Sequence, residues 1–170
     1  MADTLPDDVA DAEAAQRARF GRRIFLALVS LLVLIGATGL LGVRTGTVTA
    51  QADGYSLTVT YASVTRPGLA TPFAIEVTHA GGFDRGFDLD VASAFLEAFD
   101  ENGLDPEPVA SAGDGTWTTW GFDAPDGERF ELSFDARLEP AVQWKRPGAV
   151  RLLVDDRVIV EVAFTMWVMP

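Results

Sequence analysis

One histidine, His79, is all the imidazole available to this 170-residue chain, and there is no cysteine. A nucleophile–base–acid triad would need His79 to meet a serine held on a strained Gly-x-Ser-x-Gly elbow, and no such elbow occurs in the sequence. His79 stands at the end of an alternating apolar run beside Gly81-Gly82, the position of a strand-end histidine. The missing thiols exclude disulfide scaffolds, Cys-containing zinc sites, thiol nucleophiles and lipid attachment to cysteine. The expectation is a protein with no catalytic residues and no cofactor, and so not an enzyme.

Carboxylates are plentiful and gather in three loop segments: Asp84, Asp88 and Asp90; Asp100, Glu101, Asp105 and Glu107; Asp123, Asp126 and Glu128. Calcium takes several such oxygens from converging loops, and the middle group is the best candidate for it. The run Asp100-Glu101-Asn102-Gly103 nevertheless puts glycine fourth, where a hand-type loop has it sixth, so no recognised motif is present. Paired carboxylates also serve sugar hydrolysis, but sequence spacing does not report their separation in space. A hydrolase is the third-ranked reading.

The tryptophans are Trp117, Trp120, Trp144 and Trp167. Flat aromatic surfaces bind sugar rings and protein partners, while a small β domain also needs large side chains in its core. Trp117 and Trp120 have opposite parity, so one continuous strand cannot put both on the same face. Trp144, followed by Lys145-Arg146-Pro147-Gly148, precedes a turn and is the better surface candidate. Trp144, Trp117 and Trp120 are the expected contact residues.

These side chains must be positioned by elements that the rest of the chain supplies. Residues 24–43, IFLALVSLLVLIGATGLLGV, carry no charge and, at about 1.5 Å per residue, are long enough to cross a hydrocarbon core of about 30 Å. Arg17, Arg19, Arg22 and Arg23 precede this run and Arg44 alone closely follows it, so the positive-inside bias keeps the N-terminus cytoplasmic and exports the remainder. Cleavage of a signal peptide after Val48-Thr49-Ala50 is the alternative. The apolar run is longer than a signal core and its leader is long, which favours retention. Gly36, Gly39 and Gly42 recur every three residues and are candidates for close packing with a second membrane helix, although they lack the four-residue spacing of the known dimer motif. Residues 1–23 form a cytoplasmic leader with acids first and arginines last.

Lys and Arg total 13 against 25 Asp and Glu. Setting aside the leader's five acids (Asp3, Asp7, Asp8, Asp11, Glu13) and its four arginines leaves 20 acids and 9 bases for residues 44–170, a net of −11. That sign disfavours anionic partners, and nucleic acid is expected not to bind. After a polar linker over 44–54, period-two alternation begins: Tyr55, Leu57, Val59, Tyr61; then Phe73, Ile75, Val77; then Phe87, Leu89, Val91. Apolar spacing of three or four from Val91 to Phe99 predicts a helix capped by Ser93 and ended by Asn102-Gly103. Further strands are expected at 109–112, 117–122, 130–138, 150–154 and 158–168, with Asp155-Asp156-Arg157 as a tight hairpin. Seven or eight short strands in residues 55–170 predict an all-β, immunoglobulin-like antiparallel sandwich with one short helix, preceded by the single transmembrane helix; a small barrel is the runner-up.

The short leader, one apolar segment, GYSLTVTY, NGLDPEP and the closing FTMWVMP together resemble uncharacterised single-pass membrane proteins of bacteria with GC-rich genomes, as does the use of twelve arginines to one lysine. The resemblance covers nearly the whole chain and implies location and architecture, with no activity attached. The leading expectation is a cell-membrane-anchored, non-enzymatic interaction module whose partners are the lipid bilayer and another membrane or envelope protein. A module that binds cell-wall glycan or calcium is the alternative.

Overall fold

The computed structural model describes residues 5–37, 42–141 and 144–169, and the side chains of residues 16 onward except 101, 102 and 135. The chain separates into two units, Met1–Gly42 and Val43–Pro170.

The first unit is one helix, α1 (Leu5–Ala37). Its stretch Gln16–Ala37 has a mean hydropathy of 1.9 and none of it is buried, so the large side chains from Phe20 to Ile35 lie open. One helix near the N-terminus is therefore long and apolar enough to cross a membrane. Of the three glycines expected to pack a second helix, Gly36 lies in α1 with open space around it, Gly42 lies beyond it and Gly39 falls outside the described residues.

The second unit is built from β1 (Arg44–Ala52), β2 (Tyr55–Thr65), β3 (Ala70–His79), β4 (Phe87–Ala92), α2 (Ser93–Leu96), β5 (Phe99–Asp105), β6 (Ala110–Gly113), β7 (Trp117–Phe122), β8 (Arg129–Leu138), β9 (Trp144–Val154) and β10 (Arg157–Val168). The sheet runs β5-β8-β3-β2-β10-β9-β4-β7-β6, with β1 on β2. The alternation read from sequence supplies the core: Leu57 and Val59, Ile75 and Val77, Leu89 and Val91, and Leu132 are all but inaccessible to solvent.

Three expectations need correction. The all-antiparallel immunoglobulin-like sandwich gives way to a single curled, mixed sheet. The reason is local: Trp167 and Val168 run parallel to Val64 and Thr65, which joins what would have been two separate sheets into one ladder. The polar linker over 44–54 is mostly strand, since β1 pairs with β2 from Arg44↔Val64 to Ala52↔Tyr55. A two-residue turn at Asp53 (φ 51°) and Gly54 (φ 82°) closes that hairpin, the left-handed geometry that matches strand twist. The helix after Val91 is one turn only. Phe99 pairs with Leu138 and draws the chain into β5, and Ser93 bonds the Thr118 hydroxyl (3.1 Å) without capping α2.

That single turn has a clear packing role. Phe95 projects from it into an aromatic cluster, with ring centroids 5.3 Å from Phe73, 5.0 Å from Phe99 and 5.1 Å from Phe164. Gly148 on β9 gives Phe164 its place, since a Cβ there would stand 2.5 Å from the Phe164 ring.

Candidate functional site

The strand order sorts the loops of the β unit into two groups. At the end where β1 begins lie the starts of β3 and β9, the ends of β2, β8 and β10, and α2. At the other end lie the β1–β2 and β9–β10 hairpins and the loops 80–86 and 123–128, because Tyr55 pairs with His79, Phe87 with Phe122 and Arg129 with Thr78. The charge divides the same way. The hairpin end carries Asp53, Asp84, Asp123, Asp126, Glu128, Asp155 and Asp156 with Arg85, Arg129 and Arg157 among them, and the entry end carries Arg44, Arg66, Arg137, Lys145 and Arg146 with Glu97, Asp100, Asp114 and Glu139 among them.

The four tryptophans fall into three environments. Trp120 is 3% exposed and belongs to the core, against Phe134. Trp117, half-buried on the opposite parity, is covered by the Arg151 guanidinium 3.8 Å above its ring, and Arg151 Nε in turn donates to Glu161 at 2.7 Å. Trp144 is 70% exposed and Trp167 50%. Those two are brought together: Lys145 pairs with Trp167 and Trp144 with Val168 across the β9–β10 ladder. Met169, 50% exposed, follows, tied by its N–H to Thr65 O at 2.9 Å. Of the three contact residues expected from sequence, Trp144 stands on an open surface, while Trp120 and Trp117 are engaged in packing.

The backbone explains the exposure of Trp144. Directly opposite the buried Val168, it would share the inward face of the ladder, yet its φ of 71° turns it out of register. A bulky residue in the left-handed region is a true outlier and costs roughly 1–2 kcal/mol.

His79 is a structural residue. Its ring stacks on Tyr55 (3.9 Å, 10°) and its Nδ1 lies 3.0 Å from Gly54 O, fastening the β1–β2 turn. A shallow cleft of about 360 Å³ beside it is lined by Gln51, Asp53, Ser56 and Thr78.

The carboxylates do not converge. Among the described residues, no group of three or more His, Asp or Glu is placed to hold a metal ion. Of the calcium candidates, Asp100 and Asp105 sit at opposite ends of β5, with Asp100 beside Arg137 in the register; Glu107 follows the strand, and the side chain of Glu101 lies outside the described residues. The acids that do interact lie elsewhere. Burial first, then Asp156 and Asp90, raise the Asp88 carboxyl above its ordinary value. Asp90 is buried and accepts the Thr119 hydroxyl at 2.6 Å. Asp114 is held below its ordinary value by the N–H groups of Trp117 and Thr116, both 2.7 Å away, and shapes the turn into β7.

Sequence reading missed the pairing of Trp167 with the Trp144 strand, the Arg151–Trp117 stack and strand β1. Only β1 had a local signal: Thr45, Thr47 and Thr49 alternate with Gly46, Val48 and Ala50.

No family model matches the chain, and no curated protein matches it. Among solved structures it is similar to a Pseudomonas fluorescens alkylpurine DNA glycosylase, AlkC, bound to DNA containing an abasic site analog. The TM-score is 0.33 and the identity 12%, over 75% of this chain and 32% of that one, so the chain spans about a third of that structure's length. The expected accessory module that excludes nucleic acid is corrected on this finding, because the solved structure it is similar to is a DNA-bound enzyme. A likeness at that score carries no argument for DNA binding by this chain either.

Proposed function

We propose that the chain is a single-pass cell-membrane protein that holds its β unit at the outer face of the membrane, with the leader in the cytoplasm. The observation that carries this reading is the pairing of β1. Cleavage after Ala50 would remove most of a nine-residue strand that is paired along its length with β2. A strand that completes the sheet argues that the segment before it stays attached. The open apolar surface of Gln16–Ala37 then belongs in lipid, where each exposed Leu, Ile and Phe is at home. Arg17, Arg19, Arg22 and Arg23 on its leading side set the orientation.

The cysteine-free sequence makes the test direct, since any introduced thiol is unique. In intact cells a membrane-impermeant maleimide is expected to label D126C, in an exposed loop of the β unit, and to reach A14C only after permeabilisation. The reverse pattern, or a mature chain that begins at Gln51, would overturn the proposal.

A further inference from the structure

The entry end of the β unit has the composition of a lipid interface. Trp144 and Trp167 stand 70% and 50% exposed, Met169 is 50% exposed, and the exposed Arg44 and Lys145 lie among them, while Arg146, opposite the buried Met166, is half-buried. The register fixes the grouping: Val64 pairs with both Arg44 and Trp167, and Trp167 pairs with Lys145. Indole rings with basic neighbours are what settles at the boundary between hydrocarbon and headgroups, the ring partly apolar and its N–H in the wet layer, with cations beside the phosphates. Exposed apolar groups at a strand end need a cover, and the charge selects it: a cationic rim suits an anionic surface.

From this geometry we infer that the Trp144–Trp167–Met169 edge, with Arg44 and Lys145, seats on the anionic lipid headgroups of the bilayer that α1 crosses. The inference rests on the proposed single-pass topology and adds to it a second, peripheral membrane contact. Connectivity supports it: β1 begins at this edge, and only six residues lie between Ala37 and Arg44, a reach of at most about 25 Å over the seven steps. Charge supports it too. The opposite end carries an excess of acid (Asp53, Asp84, Asp123, Asp126, Glu128, Asp155 and Asp156 against Arg85, Arg129 and Arg157), while at the entry end Glu97, Asp100, Asp114 and Glu139 are balanced by Arg44, Arg66, Arg137, Lys145 and Arg146, so an anionic surface repels the hairpin end the more strongly. The left-handed backbone at Trp144 holds its indole outward, where the fold alone gains little from it.

All four tryptophans lie in the β unit and none in α1, so the protein's own fluorescence reports on the seat. The full-length chain is reconstituted into vesicles of phosphatidylglycerol and phosphatidylcholine whose acyl chains are brominated, which quenches indoles at the lipid boundary. Emission is expected to fall relative to unbrominated vesicles. The loss should vanish in the W144F/W167F double variant, while the buried Trp120 continues to emit and certifies the fold. K145E and R44E should each weaken the seat about fivefold for each unit of charge removed, and replacing the anionic lipid by phosphatidylcholine alone should weaken it likewise.

Four results would overturn the inference: emission unchanged by bromination, quenching that survives W144F/W167F, quenching equal in phosphatidylcholine alone, or indoles shielded from acrylamide without bromolipid quenching, which would mean a protein covers the edge. Flotation separates the two claims. A chain that floats with the vesicles without quenching refutes the seat and leaves the anchor, whereas a chain that does not float refutes both.

Discussion

The contrast between Trp120 and Trp144 gives the sharpest test of whether an indole serves the core or the surface. Trp120 is 3% exposed, so replacing it with Ala removes nearly all of a large buried side chain and leaves a cavity, a loss of about 3–5 kcal/mol. Trp144 is 70% exposed; roughly 75 Å² of its surface remains covered, worth about 2 kcal/mol. Against that stands the φ of 71°, which costs an indole-bearing residue roughly 1–2 kcal/mol and an asparagine less, because its short side chain tolerates the left-handed region. The two effects nearly cancel, and W144N is expected to change stability by no more than about 1 kcal/mol. Urea unfolding of the full-length chain in mild detergent, followed by far-ultraviolet dichroism, reads this directly. With a slope of roughly 2–3 kcal/mol per molar, W120A should lower the midpoint by about 1–2 M and W144N by under about 0.5 M. A midpoint for W144N as low as that for W120A would show that Trp144 is packed, and the argument for a surface role would fail with it.

Two further outcomes follow from the interior and from the acids of the β unit. Adding one methyl at Gly148 forces it against the Phe164 ring at 2.5 Å and Phe95 at 3.0 Å, so G148A is expected to cost about 1–3 kcal/mol in the same unfolding assay, despite alanine's usual advantage over glycine in a strand. At Asp88 the folded carboxyl binds its proton more tightly than the unfolded one, so its contribution is fully present below the ordinary value of 3.8 and is lost as pH rises through the folded value. D88N should therefore raise the melting temperature at pH 7 and lose that advantage near pH 3; an equal effect at both would assign the gain to something other than charge.

The strands were legible where residues alternate between one wet and one buried face. Leu57 and Val59, or Phe73, Ile75 and Val77, are such runs, and each lies in the core. The helix after Val91 was overread because Phe95, Ala98 and Phe99 satisfy helical spacing while turning, within three residues, from α2 into a strand that pairs with β8. Strand β1 escaped notice because its residues are small and polar: an edge strand has little apolar content to show, and its order comes from pairing with β2. The parallel contact of Trp167 and Val168 with Val64 and Thr65 joins positions about a hundred residues apart, and no local pattern encodes it. For the same reason Trp144 could be picked out alone, by the turn after it, while its partnership with Trp167 and Met169 required the fold.

The net charge of the β unit hides an asymmetry that turn chemistry helps to create. The hairpins β1–β2 and β9–β10 both close at the same end, and both demand left-handed residues: Asp53 with Gly54, and Asp155 (φ 52°) with Asp156 (φ 60°). Aspartate tolerates that backbone better than most residues, so the local requirement of two tight turns loads one end with negative charge. At the other end the β6–β7 turn adds Asp114 before the left-handed Gly115 (φ 87°), and the strand termini there carry the exposed Arg44 and Lys145 beside open indoles. A uniformly acidic domain would be pushed off an anionic bilayer in every orientation. One whose excess of acid lies at the hairpin end is pushed off least with the Trp144–Trp167 edge toward the bilayer. Orientation then follows from the field of the whole unit, and the tryptophans have only to hold a pose that the charges have already selected.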